Sequence, residues 1–343
     1  MRFQRWRFWL SLSLAGLLLV GFLWGVDWTK VRGVFERATW ASLLLGWLAG
    51  LVIYILRGWR WAWLLRALGR VTVWDAFWGN IIGFGVNTVL PGRLGEIVRA
   101  VWLHRRYPHI RLPHLLSSVA LERTVDLGVL IGLLIFFLGW GPASGHFVAL
   151  DTTARRAIFH VLQGALFVFG AVLLGVIGLI VFGHRDRQIG GPRWIRRGVE
   201  FVIQLGRGIR RMLDLAHIVG YIGISVLFWI LSGIATWVMI RPFAPSVSPL
   251  GGVWLVALIM LGAAIPTPGA IGGFHWAVRI GLTWFYAVSL EAAVSAGVWA
   301  HLCALSPAVL LAIVPMIRED IWNWSEITSS VAVKSHEMSS LSE

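Results

Sequence analysis

The sequence is poor in the residues that much soluble chemistry needs. Its one cysteine, Cys303, stands in an apolar run, so no internal disulfide can form and the redox compartment is not readable. Lysine occurs only at Lys30 and Lys334, neither behind a glycine-rich turn, which excludes a Walker-type phosphate loop and ATP hydrolysis through one. There is no G-x-S-x-G elbow, H-E-x-x-H, C-x-x-C or EF-hand pattern. His104, His109 and His114 recur every five residues, a spacing that keeps imidazoles off one helical face. No metal or cofactor is expected, and no polar stretch is long enough to fold as a catalytic domain.

What the chain does have is apolar length. Of its 343 residues, 58% are hydrophobic and 13% charged, and the apolar runs are continuous rather than alternating. The expectation is an all-α polytopic membrane protein, since only helices and closed barrels satisfy their backbone in lipid. The net charge of +14 is carried almost wholly by arginines clustered between the apolar runs. That placement fits cytoplasmic loops beside anionic lipid and argues against a nucleic-acid partner. The 22 tryptophans suit interfacial belts.

The runs can be taken in order. Arg2, Arg5 and Arg7 precede an apolar run over 8–26, read as an uncleaved first helix with a cytoplasmic N-terminus. A mixed-charge loop over 27–37 leads to a second helix at about 40–56. Arg57, Arg60, Arg66 and Arg70 then mark the return to the cytoplasm. The next run, 74–90, ends at Pro91 and Gly92, and Arg93, Glu96 and Arg99 follow within a few positions. Proline removes a backbone donor and glycine relaxes the chain, so a turn is expected there. The segment after it is again basic, which would violate the positive-inside rule if 74–90 crossed fully. A broken or re-entrant hairpin over about 74–103 removes the conflict. The same residues also fit a loop at the membrane surface.

Residues 115–138 form the next helix, with Glu122 and Asp126 on one face and Arg123 beside them. Charges at that depth must pair or face a polar cavity; an ion-paired helix end at the interface is the plainer alternative. An outer loop over 139–156 and a helix over 157–182 follow. The arginine-rich segment 194–214 keeps helical apolar spacing, which reads as a cytoplasmic amphipathic helix on the inner leaflet. A helix over 217–240 precedes a second broken hairpin, about 251–289, interrupted at Pro266, Pro268, Gly269 and Gly272. A last helix spans 292–317, and 325–343 is a polar, serine-rich tail expected to be disordered. Residues 1–320 are thus read as one helical domain of about six spanning helices and two broken hairpins, with both termini cytoplasmic. One hairpin enters from each side, so the halves are inverted. Such paired breaks point to a transporter site at the bilayer midplane.

Three segments carry a resemblance. These are N-x-x-L-P-G-R-x-G-E-x-x-R at 87–99, L-E-R-x-x-D at 121–126 and P-x-P-G-x-x-G at 266–272. With them the chain resembles the flippase-like integral membrane family, also called the lysylphosphatidylglycerol synthase transmembrane region, over roughly 8–317. That family usually has a glutamate three residues after the last glycine, where this chain has His275. Members stand alone or are fused to domains that aminoacylate or glycosylate lipids. With no room for such a domain in these 343 residues, the resemblance implies the lipid-moving part alone, not an enzyme. The expected location is the cytoplasmic membrane of a prokaryote.

The expected ligand is a membrane lipid with an anionic or sugar-bearing head group; a separate transferase is a possible partner. Arg93, Arg99 and Arg123 would hold phosphate, while Glu96, Glu122 and Asp126 balance them or carry a coupling proton. Asn87 and His275 complete the expected head-group cavity. Pro91, Gly92, Gly95, Pro266, Pro268, Gly269 and Gly272 shape the turns. An intramembrane lipid-modifying enzyme, or an accessory subunit presenting lipid to a transferase, is the alternative. His275 also fits a helix-end histidine with no role in the cavity.

Overall fold

The computed structural model describes residues 2–90, 93–140, 152–182 and 192–318. Pro91 and Gly92, where the first hairpin is expected to turn, and the polar tail 325–343 lie outside the described residues, as does most of the expected outer loop. Twelve α-helices and one 3-10 turn, with no strand, make up the described chain. They are α1 (Arg2–Leu23), α2 (Trp28–Phe35), α3 (Trp40–Leu65), α4 (Val73–Val89), α5 (Gly95–Arg106), α6 (Leu112–Trp140), α7 (Thr152–Phe182), α8 (Arg193–Met212), α9 (Leu215–Ile240), α10 (Pro249–Gly262), α11 (Gly273–Tyr286) and α12 (Leu290–Arg318). Four of them (α3, α7, α9 and α12) are long and apolar enough to cross a membrane, five if α1 and α2, bent by 88°, form one span. α6 has the length, 29 residues, but carries the charged cluster.

Local chemistry sets the starts. Asp27 accepts from the Thr29 amide at 3.0 Å and turns the expected mixed-charge loop into α2. Thr39 and Ser42 form a reciprocal capping box at α3. Thr72 caps α4, and Ser248 caps α10 with Pro249 at the first helical position. α5 has no cap of its own; instead Asn87, on the other arm of the hairpin, accepts from the Gly95 amide at 2.8 Å.

Both hairpins are closed at their tips by glycine against glycine. In the first, a Cβ at Gly95 would overlap the Gly83 carbonyl; in the second, a Cβ at Gly273 would overlap the Gly262 carbonyl. Only glycine lets two backbones approach so closely. Each hairpin also opens and closes at one end of the bundle. At the base of α4 and α5, the Tyr107 hydroxyl donates to Asp75 at 2.6 Å, Arg106 pairs with Asp75, and Gly69 abuts Ile110. At the base of α10 and α11, Gly251 lies against the Tyr286 ring. With 12 to 17 residues per arm, the arms measure about 18–26 Å, short of the roughly 30 Å hydrocarbon core. Neither arm crosses alone.

The halves repeat in order and length. α3 and α9 both have 26 residues, α6 and α12 both 29. α2 packs on α12 as α8 packs on α6, and α4 packs on α12 as α10 packs on α6. α3 and α9 run antiparallel: Gly46 lies by Met239, Arg57 by Phe228, and Leu64 by His217. The halves are therefore inverted relative to one another. Each has its own core, one around Trp61, Trp102, Leu103 and Ile110, the other around Trp254, Phe285, Phe243 and Val278.

Part of the apolar side of α8 is covered by protein, with Ile203, Ile209 and Met212 buried, Gly208 against Ser117 and Gln204 3.2 Å from His114, while Ile195, Val202 and Leu213 of the expected leaflet-facing stripe stay exposed. The spacing of α8 reveals an apolar face but not what covers it.

Two outcomes are expected. Gly95→Ala and Gly273→Ala should each lower the melting temperature in detergent, because overpacking costs about 1–3 kcal/mol or more. Gly132→Ala, which meets open space, should not. In a Cys303→Ala background, single cysteines at Arg66 and Arg111 should react with an impermeant thiol reagent from the same face of sealed vesicles. Labelling from opposite faces would mean that the first hairpin crosses.

Candidate functional site

The buried stripe of α3 runs Gly46, Gly50, Tyr54, Arg57, Trp61 and Leu64, one position per helical turn. The helix does not stop at Leu56, and Arg57 and Arg60 are not a cytoplasmic return. Both are buried, Arg60 fully. Nothing in the sequence there breaks a helix, and the charges are met by carboxylates on α6. Sequence reading missed both residues, although their place on the Gly46–Gly50–Tyr54 face was a signal. The exposed arginines of that group are Arg66 and Arg70.

Glu122 is the hub. It is fully buried, and four guanidiniums converge on it. Its Oε1 is 2.6 Å from Arg123, 3.0 Å from Arg60 and 3.8 Å from Arg57; its Oε2 is 2.9 Å from Arg99. Asp126, one turn on, takes Arg60 through both oxygens and accepts from the Trp229 indole at 2.9 Å. Arg99 also pairs with Glu96 at 2.7 Å and donates to Asn80 at 2.5 Å, a residue the sequence reading did not single out. Trp61 lies under the Arg99 guanidinium at 4.6 Å and donates to Ser118. α3, α4, α5, α6 and α9 all contribute to this network. In low dielectric such charges persist only when paired and hydrogen-bonded.

The network borders a small, half-open recess with room for about one water molecule. Arg57, Arg99, Arg123 and Glu96 face it, with Asn80 and Asn87; Gly83, Gly95 and Phe84 form the apolar wall. The mouth lies on the side of Glu96 and Arg123, whose side chains keep 24% and 34% of their exposure. Guanidiniums in this setting can hold a phosphate or carboxylate by charge-assisted hydrogen bonds.

Six of the expected cavity residues thus come together: Asn87, Glu96, Arg99, Glu122, Arg123 and Asp126, the last two carboxylates from behind the recess wall. Arg93 and His275 do not join them. Arg93, with φ of 56°, reaches across to the second hairpin and donates to the Ala263 carbonyl, the C-terminal cap of α10, at 2.6 Å. His275 is buried at the start of α11, where Nδ1 accepts from the Gly272 amide at 3.3 Å. Its ring sits among Phe22, Phe274 and His301, away from the recess. Motif position alone could not separate these two from the rest.

The breaks of the second hairpin are described in full. Pro268 and Gly269 lie in the 3-10 turn, and Gly269 and Gly272 have φ of 59° and 91°. Ser11 donates to the Pro266 carbonyl at 3.1 Å, and His301 Nε2 lies 2.9 Å from the Gly269 carbonyl. Backbone groups freed by the break are met by side chains from other helices, as irregular backbone in a membrane protein requires.

The hub makes a graded prediction. Glu122→Ala should cost about 3–5 kcal/mol, because it strands buried guanidiniums. Glu96→Ala should cost less, about 1–3 kcal/mol, because its partner Arg99 keeps Glu122 and Asn80. Thermal unfolding in detergent reads the difference, and equal losses would place the hub elsewhere.

Comparison with known proteins accords with this architecture. A family model described as the lysylphosphatidylglycerol synthase TM region matches residues 8–312. No curated protein matches the chain. The family match spans both hairpins, the charged network and nearly all the helices. The chain belongs to the lysylphosphatidylglycerol synthase TM region family.

Proposed function

We propose that this membrane protein moves an amphipathic lipid with an anionic or sugar-bearing head group between leaflets, taking the head group into the recess. The observation that carries this reading is a partly open recess lined by guanidiniums, built between the two arms of a hairpin too short to cross. Polar, charged cavities within a membrane domain mark substrate pathways. The lipid tails would stay outside the protein, against the exposed apolar side chains at the mouth such as Leu94 and Ile97.

In this reading the protein performs no chemistry on the lipid. A separate aminoacyl- or glycosyl-transferase supplies or consumes the head group, and movement is downhill, ion-coupled or driven by a partner. The chain lies in the cytoplasmic membrane of a prokaryote with both termini cytoplasmic. The arginines at the bases of α4 and α5 and on α8 then meet anionic lipid.

Reconstitution into vesicles tests it. Fluorescent phosphatidylglycerol should exchange between leaflets faster with the protein than without, with its head group unchanged. Arg123→Gln should slow that exchange by roughly tenfold or more, the equivalent of one charged hydrogen bond. Exchange no faster than in protein-free vesicles would remove the reading, and a chemically altered head group would make the protein an enzyme.

A further inference from the structure

The charges in the network do not balance. Among the described residues, Arg57, Arg60, Arg99 and Arg123 face Glu96, Glu122 and Asp126, four positive against three negative. The excess can be located. Arg60 is held by both oxygens of Asp126 and by Glu122, and Arg99 by Asn80, Glu96 and Glu122. Arg123 has Glu122 at 2.6 Å and two further carboxylates within 3.9 Å. The buried Nε of all four lacks a partner, but Arg57 alone among them makes no hydrogen bond among the described residues. Its nearest carboxylate oxygen, Glu122 Oε1 at 3.8 Å, is already taken at shorter range by Arg60 and Arg123. The rings of Phe84 and Phe228, each 5.1 Å away, are its other contacts. It is 92% buried, and it lines the recess.

We infer that Arg57 is the anchor of the recess and that the recess takes an anion of one negative charge, the monoanionic phosphodiester of a lipid head group. This rests on the reading of the recess as a lipid head-group site and narrows it. A phosphodiester presents two unesterified oxygens sharing one charge, which match the planar donor fork of a guanidinium. One charge neutralises the ion-paired set itself, while Arg93 beside Glu96 and Arg123 adds to the positive field at the mouth; a zwitterionic head group adds no net charge. Phe84 and Phe228 flank the Arg57 guanidinium, and its terminal nitrogens, without a protein hydrogen bond among the described residues, are open to a ligand in the recess. Arg60, one turn away and fully buried, is the structural counterpart: it orders Asp126 and Glu122 and has no donor left over for a ligand beyond its buried Nε.

Thermal unfolding in detergent separates the two arginines. With no ligand, Arg60→Gln should lower the melting temperature, because it strands Asp126. Arg57→Gln should raise it, because it removes a buried cation without a partner. Short-chain phosphatidylglycerol should stabilise the wild type at concentrations at least tenfold below those needed for short-chain phosphatidylcholine. The lipid should also act far below dimethyl phosphate, a soluble phosphodiester monoanion, and inorganic phosphate. Arg57→Gln should abolish the phosphatidylglycerol shift, and Arg57→Lys should keep part of it.

A ligand-free loss at Arg57→Gln equal to that at Arg60→Gln would make Arg57 a structural counter-ion and overturn the inference. So would an undiminished phosphatidylglycerol shift in Arg57→Gln, or phosphatidylcholine acting at the same concentration. Dimethyl phosphate or inorganic phosphate acting as well as the lipid would show a soluble anion to be the ligand and overturn the lipid assignment. The same variants in vesicles keep the two readings apart. Arg57-dependent binding without leaflet exchange by the wild type leaves the anion site and removes transport. Exchange with binding indifferent to Arg57 does the reverse.

Discussion

A single carboxylate in low dielectric governs the first half of this protein. Glu122 is fully buried, and its two oxygens are shared among Arg57, Arg60, Arg99 and Arg123. Those arginines come from three different helices, so α3, α5 and α6 must close around it together. Taken out of water, each charge would cost several kcal/mol if left alone. The network is therefore tolerable only as a complete set, with Asp126 tied to Trp229 of α9 joining the second half to the first. It is not a source of great stability. Its consequence is specificity of arrangement, since no other packing of these helices would pair the same charges.

Elsewhere the helices are held by closeness. Between helices in lipid there is little hydrophobic driving force, because lipid tails are as apolar as leucine. What distinguishes the native packing is backbone approach at glycine: Gly58 on Phe77, Gly233 on Val253, Gly83 on Gly95 and Gly262 on Gly273. These contacts occur in matching places in the two halves, so the scaffold is repeated. The site is not. Glu122 and Asp126 are the eleventh and fifteenth residues of α6; the eleventh and fifteenth of α12 are Ala300 and Ala304. Glu96 is the second residue of α5, and the second of α11 is Phe274. The second half supplies shape and the first half supplies charge.

Much of this was legible in the sequence because it depends on local chemistry or on period. Apolar runs gave the helices, proline and glycine marked both breaks, and the parity of basic loops required a hairpin that returns to its own side. Glu96, Arg99, Glu122 and Arg123 stood out because charge in an apolar run demands a partner. Arg57 and Arg60 did not stand out, for the opposite reason. They follow an apolar run of spanning length, where positive charge is the ordinary sign of a cytoplasmic end. Only the carboxylates of a helix some sixty positions on show that they turn inward. Asn87 as the cap of α5 and the partial cover of α8 at Ile203, Ile209 and Met212 are likewise products of tertiary contact. His275 shared a motif with the expected site, yet its helix starts on the far side of the second break.

The two sets of contacts differ in what it takes to undo them, and that difference shows where the molecule can move. The tips of the hairpins meet through the packing of α4 on the 3-10 turn and through Arg93, which donates one charged hydrogen bond to the Ala263 carbonyl from an exposed side chain. Breaking such a bond costs about 1.5–3 kcal/mol before water replaces it, and Arg93 is exposed enough for water to do so. Separating α3 from α6 instead strands Arg60, Asp126 and Glu122 in the interior, at several kcal/mol for each unpaired charge. The polar contact between the tips is therefore weaker than the charged network behind the recess. In the proposed reading, a charged floor beneath more weakly joined tips would let a head group enter from one side and leave by the other.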